Sequence, residues 1–495
     1  MSPINPTKKR LLFCNTGMLD FPNGAFRRSY SLAAELAAQG MEVTFLTTLP
    51  VRRERMGLQV SERRTFPYYR ARRDGMNVIA VHGMMPMKIR KFGYDPLAVL
   101  LRWMFAVWYR FDIVHGDGHR PAVVIPAMTQ RWLYGALYVS EWWDLYGKGG
   151  FFDTKRRAWK WTVGRLDNVL ESLVVGAADR LIVVSEELRR RAEQLRDGRS
   201  YRGLSLQGVK KRGDILKLWG ASDVRGIDYE PDSLKHRSEF GLPMNTVILM
   251  GSGMSSRELL ASRPLFEMME VLNREGGNGD SGAPSVIFVN IDSGQRNILQ
   301  RDFGRDRVAN GVIGEVASGV TDWRTPYTQN GVFRTIPCVH YSEYGRLLSC
   351  ADLFVMIQDD TLKNRSRWPN CVGDFMAAGR PIIGNAIGEI ELFFREFPHT
   401  SIVDLEKFGQ WLEFYDTPYR KMDFLEEFRA WVFRTMANSK LGKSDLVKVE
   451  SSESPEYPEG NELFHLRDRI RASSVEYFSW RVRVRDLIFL YKPLI

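Results

Sequence analysis

The stretch Asn364 to Pro381, NRSRWPNCVGDFMAAGRP, sets two arginines, Arg365 and Arg367, and a Trp-Pro before a short helix-like run that carries one acid, Asp374. A carboxylate in a first helical turn is stabilised by the helix macrodipole. The arginines offer charge for an anion. Three other stretches hold reactive side chains where a strand gives way to a loop. HGDGH (His115 to His119) follows an apolar strand, and SEWWDLYGKGG (Ser140 to Gly150) brings Glu141, Trp142, Trp143 and Asp144 together. TVILMGSG (Thr246 to Gly253) ends a strand in a loop with Gly251 and Gly253. Near the amino terminus, TGMLDFPNG (Thr16 to Gly24) leads into a helix. Gly24 thus stands where backbone N–H groups can meet phosphate.

The elements that must position these residues read as α/β throughout. RLLFCN (Arg10 to Asn15) is an apolar strand, AFRRSYSLAAELAAQ has helical spacing, and MEVTFLTT (Met41 to Thr48) is a second strand. Strand, Gly-containing turn, helix and strand make a βαβ unit and a parallel sheet. The turn lacks a GxGxxG, so it is not a dinucleotide fingerprint. In ADRLIVVSEELRRRAEQL, Ser185 is the expected N-cap, with Glu186 and Glu187 in the first turn. A second set of strands begins at Thr246. The expected organisation is a first α/β domain over 1–230 and a second over 231–400, with a helical extension over 401–495. Ser200 to Asp232 reads as a linker. Ser444 to Asn461, rich in Ser, Glu and Pro, reads as a disordered loop. The last helix, Ser473 to Tyr491, is expected to return to the first domain.

Composition narrows the classes. The 495 residues are 44% hydrophobic and 26% charged, as in soluble globular proteins. The longest apolar candidate, Pro96 to Phe111, is interrupted by Arg102 and Arg110, too soon to span a bilayer. The amino terminus shows no signal-peptide pattern. Four scattered cysteines without a CxxC pair suggest reduced thiols and a cytoplasmic setting, and seven histidines show no ligand spacing, so no metal is expected. Net charge is +11, and Val51 to Arg110 carries thirteen Lys/Arg against four Asp/Glu. Large apolar residues such as Tyr68, Tyr69, Met84, Phe92 and Trp103 are mixed into that segment. The mixture suits a solvated surface or the anionic inner face of a membrane. Single-stranded nucleic acid would suit it too, but no nucleic-acid motif accompanies it.

With NGAFRRSYSLAAELAAQGMEVTFLTT, ADRLIVVSEELRRR, SEYGRLLSCADLFVM and above all RWPNCVGDFMAAGRPIIGNAIGE on the page, the chain resembles the GT-B glycosyltransferases, and within them the GT4-like retaining enzymes. The resemblance spans about residues 10 to 395. It implies two doubly wound Rossmann-like domains facing a central cleft. It also implies a nucleotide-sugar donor, no metal, and a lipid-linked or polysaccharide acceptor. The family's helix usually carries two glutamates spaced E-x7-E. The second, which holds the donor ribose, falls on Asp374; the first falls on Ser366, a departure. The resemblance gives Arg257 the place of a diphosphate-binding lysine, whereas the usual arginine is lost at Ser252. Gly251, Gly253, Arg365, Arg367, Glu389 and Gly24 complete the expected donor side, with Lys363 a weaker candidate. Glu141, Trp142 and Trp143 are expected on the acceptor side, and Asp144 and His115 are the candidates for chemistry. A nucleotide-sugar epimerase of the same fold, or a non-catalytic scaffold, stays open at this point.

Overall fold

The computed structural model describes residues 9–19, 24–50, 64–65, 67–90, 92–153, 160–197, 214–222, 224, 226–227, 229–244, 246–254, 256–275, 286–292, 327–328, 330–337, 339, 341–401 and 460–491. The expected loop from Ser444 falls outside these residues up to position 459. So do residues 20–23 of the Gly-containing turn, 51–63 of the basic segment and 200–213 of the linker. The chain forms two compact units. Unit 1 is Met1–Asp223 with Asp360–Asn370 and Phe478–Ile495; unit 2 is Val224–Asp359 with Cys371–Tyr477.

Unit 1 holds β1 (Arg10–Met18), β2 (Glu42–Thr48), β3 (Arg64–Thr65), β4 (Tyr68–Arg73), β5 (Met76–Val81), β6 (Ile113–Gly116), β7 (Leu137–Trp142), β8 (Arg180–Val183) and β9 (Ile215–Lys217). Their order in the sheet is β3-β4-β5-β2-β1-β6-β7-β8-β9. All pairs are parallel except β3–β4 and β4–β5. β1 is buried on both faces, the signature of a parallel sheet covered on two sides. Leu11 and Phe13 join one core with α1 (Gly24–Ala38), while Leu12 and Cys14 join another with α3 (Pro96–Trp108) and α4 (Pro121–Tyr134). A short α2 (Met87–Arg90) precedes α3. α5 (Arg165–Ala177), entered through a π turn at Lys160–Gly164, and α6 (Glu186–Arg196) follow in order.

Tyr68 and Tyr69 of the basic segment are core residues, 5% and 1% exposed. Ser185 caps α6 as the sequence predicts: its Oγ accepts from the Leu188 N–H at 3.1 Å. The same hydroxyl donates to the Ser366 carbonyl at 2.7 Å and so ties segment 360–370 into unit 1. Ser185→Ala should cost about 1–2 kcal/mol, the usual range for a lost N-cap, read as a lowered urea midpoint at unchanged slope.

Unit 2 carries β10 (Val247–Ser252), β11 (Val286–Asp292), β12 (Phe333–Pro337), β13 (Leu353–Met356) and β14 (Ile382–Gly384) in the order β12-β11-β10-β13-β14, all parallel. Its helices are α7 (Ser256–Ala261), α8 (Arg263–Glu275), α9 (Tyr341–Ser349), α11 (Cys371–Ala377), α12 (Glu389–Glu396) and α13 (Gly460–Glu476). α10 (Leu362–Arg365) and α14 (Trp480–Tyr491) lie in segments that belong to unit 1. Trp480, Val484, Leu487 and Tyr491 of α14 enter the same core as α1.

The Gly-Arg-Pro that closes α11 has a structural cause. Gly379 sits at φ +66°, the left-handed region, and a Cβ there would stand 2.5 Å from the Tyr229 ring. Arg380 is fully buried and donates to the carbonyls of Ala351, Ser349 and Glu230 at 2.7–2.8 Å. Its charge is met by backbone oxygens, and burial lowers its pKa to about 9.

Candidate functional site

Each sheet reverses its winding beside its first strand: β1 has β2 on one side and β6 on the other, and β10 has β11 and β13. In doubly wound folds ligands bind at such switch points, outside the carboxyl ends of the strands. The candidate residues of unit 1 gather there.

Asp117, just past β6, is wholly buried and accepts four hydrogen bonds. They come from Asn15 Nδ2 (2.6 Å), the Thr16 N–H (2.7 Å), Thr16 Oγ1 (2.6 Å) and Ser29 Oγ (2.7 Å). Burial raises its pKa, and the Ser29 and Thr16 bonds oppose the rise. This carboxylate joins the ends of β1 and β6 to α1. It lies inside HGDGH, yet nothing local marks it out, because its partners are some 90–100 residues away.

Glu141, at the end of β7, forms the second cluster. Arg28 Nε donates to its Oε2 at 3.2 Å, and His115 Nε2 lies 3.3 Å from its Oε1. His115 Nδ1 faces the Tyr491 hydroxyl at 2.6 Å, and the Phe13 ring stacks on the imidazole with centroids 4.5 Å apart. His115 is 0% exposed, enclosed by protein groups, and joins β6 to α14. Burial alone would raise the Glu141 pKa, but Arg28 and His115 hold it down to about 2. Arg28 also lies over the Trp480 ring at 5.2 Å, so α1, β7, β6 and α14 are locked through buried charge.

Asp144 differs. It is half-buried in the loop after β7. Burial pushes its carboxyl up to about 6, against the pull of Arg367, Lys363 and Arg120 and a hydrogen bond from Tyr146. The structure thus brings Asp144 together with the segment that carries Arg367. Arg365 is exposed and grips Asp360 with both Nε and Nη2 at 2.5 Å. Lys363 Nζ stands 5.0 Å from the Phe151 ring centroid. Trp142 is enclosed, 1% exposed, whereas Trp143 is half-buried and its indole N–H donates to the Asp117 carbonyl. Ser366 is also enclosed, and its hydroxyl donates to the Lys363 carbonyl at 3.0 Å. A glutamate there would bury a charge, so the departure from E-x7-E agrees with the local packing.

In unit 2 the expected donor residues stand at strand ends and helix starts. Gly251 and Ser252 end β10, and Ser252 Oγ lies 3.2 Å from the Tyr344 hydroxyl. Gly253, at φ +67°, turns the chain away while its N–H bonds the Ile291 carbonyl at 2.9 Å. Arg257 is exposed on α7. Asp374, 7% exposed, sits in the first turn of α11, and Glu389, 3% exposed, begins α12 after Gly388. Helix starts leave N–H groups unsatisfied, which favours a carboxylate or an incoming phosphate. Gly24 begins α1, whose preceding turn lies outside the described residues. Among the described residues no three His, Cys, Asp or Glu side chains converge as a metal site. In unit 1 a cavity of about 400 Å³ lined by Arg10, Glu42, Arg70 and Phe111 opens at the amino ends of β1 and β2, whereas Asp117 and Glu141 stand at the carboxyl ends of β6 and β7.

Comparison with known families now bears on unit 1. Residues 23–202 match the glycosyl transferase 4-like domain. That span covers α1 through α6, including Asp117, Glu141 and Asp144. Solved structures extend the likeness of fold over nearly the whole chain. A sucrose-phosphate synthase from Thermosynechococcus elongatus is 12% identical, with 98% of this chain and 99% of that chain covered and a TM-score of 0.56. HepE of Anabaena, solved in complex with UDP-glucose, is 10% identical over 98% of this chain and 100% of its own, with a TM-score of 0.53. The fold is that of the GT-B glycosyltransferases, α/β with two domains, one sheet parallel throughout and the other parallel except at its β3–β4–β5 edge. The search of curated proteins gives no match.

Proposed function

We propose that this protein transfers a sugar from a nucleotide-sugar donor to a lipid-linked or polysaccharide acceptor, with retention and without a metal. The observation that carries the reading is the glycosyl transferase 4-like match of residues 23–202 in a chain whose second sheet has its own switch point at β10, which ends in Gly251 and Ser252, and whose α11 carries a buried acid in its first turn. The UDP-glucose held by HepE, a protein of similar fold, supports a nucleotide-sugar donor.

In this reading Asp374 accepts the two hydroxyls of the donor ribose, as a carboxylate can. The backbone at Gly251 and Gly253, with Arg257, meets the diphosphate. Glu389 touches the donor sugar. The acceptor oxygen attacks the anomeric carbon as the bond to the diphosphate breaks. The donor phosphate takes the acceptor proton, and Asp144 orients the acceptor hydroxyl. Trp143 offers the acceptor an apolar face. Glu141, His115 and Trp142 hold the loop in place from beneath. The enzyme works in the cytoplasm, and the positive segment Val51 to Arg110 draws it to an anionic membrane.

Calorimetry over a panel of nucleotide sugars tests the donor site. Asp374→Ala should weaken binding roughly 10–100-fold, as expected for losing hydrogen bonds to a charged group; equal affinity would remove the ribose assignment. Ser366 favours one rival, a scaffold that binds donor without turnover. Released nucleoside diphosphate with an acceptor present would exclude it, and interconversion of the donor alone would identify an epimerase instead.

A further inference from the structure

α3, α4 and α5 form one helical layer over the unit 1 sheet. Gln130 and Tyr134 of α4 hydrogen-bond to the carbonyls of Ala106, Val107 and Tyr109, and Arg120 at the start of α4 meets Asp167 of α5. The outer side of this layer is apolar. Trp103 and Trp108 on α3 are 43% and 60% exposed, and Trp132 and Leu133 on α4 are 69% and 58% exposed. Trp161 and Leu166, at the entry to α5, are 58% and 42% exposed. Single exposed apolar residues are ordinary, but six of them on helices of one layer mark a surface that meets something.

The charges on this layer are arranged to leave its outer face free of acid. α3 and α4 contain no Asp or Glu, and the two acids of α5, Asp167 and Glu171, are 1% and 2% exposed. Arg102, the one charge in α3, points inward and donates to the Asn15 and Ala122 carbonyls and to Thr48 Oγ1. The next helix, α6, shows the usual alternative, with Arg189, Arg190 and Glu193 all exposed. At the edge of the layer Arg110 is exposed and Arg165 stacks on Trp161 at 3.7 Å, while the half-buried Asp179 beyond α5 is paired with Arg131 of α4 at 2.8 Å.

We propose that the outer face of α3, α4 and α5 docks on an anionic lipid bilayer, lying in its interface with the tryptophans at headgroup depth. Tryptophan suits that depth because its ring is apolar and its N–H polar, and arginine stems can lie along apolar surface while the guanidinium reaches phosphate. At 13 and 14 residues α3 and α4 are too short to cross a membrane, which fits a surface-lying layer. A second copy of the chain fits less well. A two-fold contact sets a face against itself, and among the described residues α3, α4 and α5 offer no exposed carboxylate to Arg110 and Arg165. The inference does not depend on sugar transfer; within the segment Val51 to Arg110 it assigns the membrane contact to α3 rather than to the hairpin β4–β5, and it extends that contact to α4 and α5.

Flotation of the full chain with vesicles tests it. Phosphatidylcholine vesicles with added phosphatidylglycerol should carry the protein, and brominated lipid should quench its tryptophan fluorescence, a readout that needs no variant. Trp103→Asp with Trp132→Asp should reduce flotation by about tenfold or more, whereas Arg70→Glu with Arg72→Glu on β4 should leave most of it. Absence of quenching, equal flotation of the tryptophan variant, or a parent dimer that the tryptophan substitutions dissociate would each overturn the proposal.

Discussion

Asp144→Asn is expected to lower turnover by about 100-fold or more, the scale of a lost acid–base or orienting group, and to erase an acid limb near pH 6. Burial raises this carboxyl to about 6 although Arg367, Lys363 and Arg120 surround it. In the proposed reaction the protonated group no longer holds the acceptor hydroxyl as a carboxylate does, so the parent's rate should fall as pH drops through about 6 and level off above it. The asparagine variant should show a low, flat profile in that range. A measured profile that kept its limb would assign the titration to another group. Stability separates function from structure. A folded pKa above the unfolded 3.8 means that ionising Asp144 costs stability as pH rises from about 4 to 6. Removing the charge should therefore leave neutral-pH stability equal or higher while turnover collapses. A purely structural Asp144 would lose both.

Much of the frame could be read along the chain because its signals are local. The apolar runs at Leu11 to Cys14 and Val247 to Met250, the βαβ punctuation and the Ser185 cap each need only a few neighbouring residues. The site was less legible because its bonds are long-range. Asp117 meets Asn15, Thr16 and Ser29, and Ser366 meets Ser185 across 181 positions. The arginines were the hardest. Arg28, Arg102, Arg237 and Arg380 count as surface charge in a composition, yet each is at most 3% exposed and bonded to a carboxylate or to carbonyls. Arg102 interrupts an apolar run in the sequence, but folded into the core it leaves the outer face of α3 uninterrupted. Likewise the aromatic and basic mixture of Val51 to Arg110 divides on folding, with Tyr68 and Tyr69 entering the core and Trp103 and Trp108 remaining outside.

The largest stability effect is expected at Asp352→Ala, a loss of about 3–5 kcal/mol, the range for removing one partner of a buried ion pair. Asp352 is 3% exposed just before β13. It accepts from Arg237 Nη2 (2.6 Å), Arg467 Nη2 (3.2 Å), Ser233 Oγ (2.7 Å) and the Ile248 N–H (2.9 Å). Burial opposes its ionisation, but Arg237 and Arg467 outweigh it and the pKa falls below 3.8. A depressed carboxyl stabilises the fold fully above its unfolded value. That contribution should be lost as pH falls below about 4 through the folded pKa. Arg467 belongs to α13, so this one carboxylate fastens the last helix of unit 2 to the amino ends of β10 and β13, away from the proposed donor site. Urea unfolding should show the loss, while donor affinity measured on the folded variant stays near that of the parent. Asp352→Ala with Arg467→Met should lose less than the two single changes added together, because the second change removes a guanidinium that the first left stranded. A cost below about 1 kcal/mol would mean that water reaches Arg237 and Arg467, and that α13 is held by its apolar contacts alone.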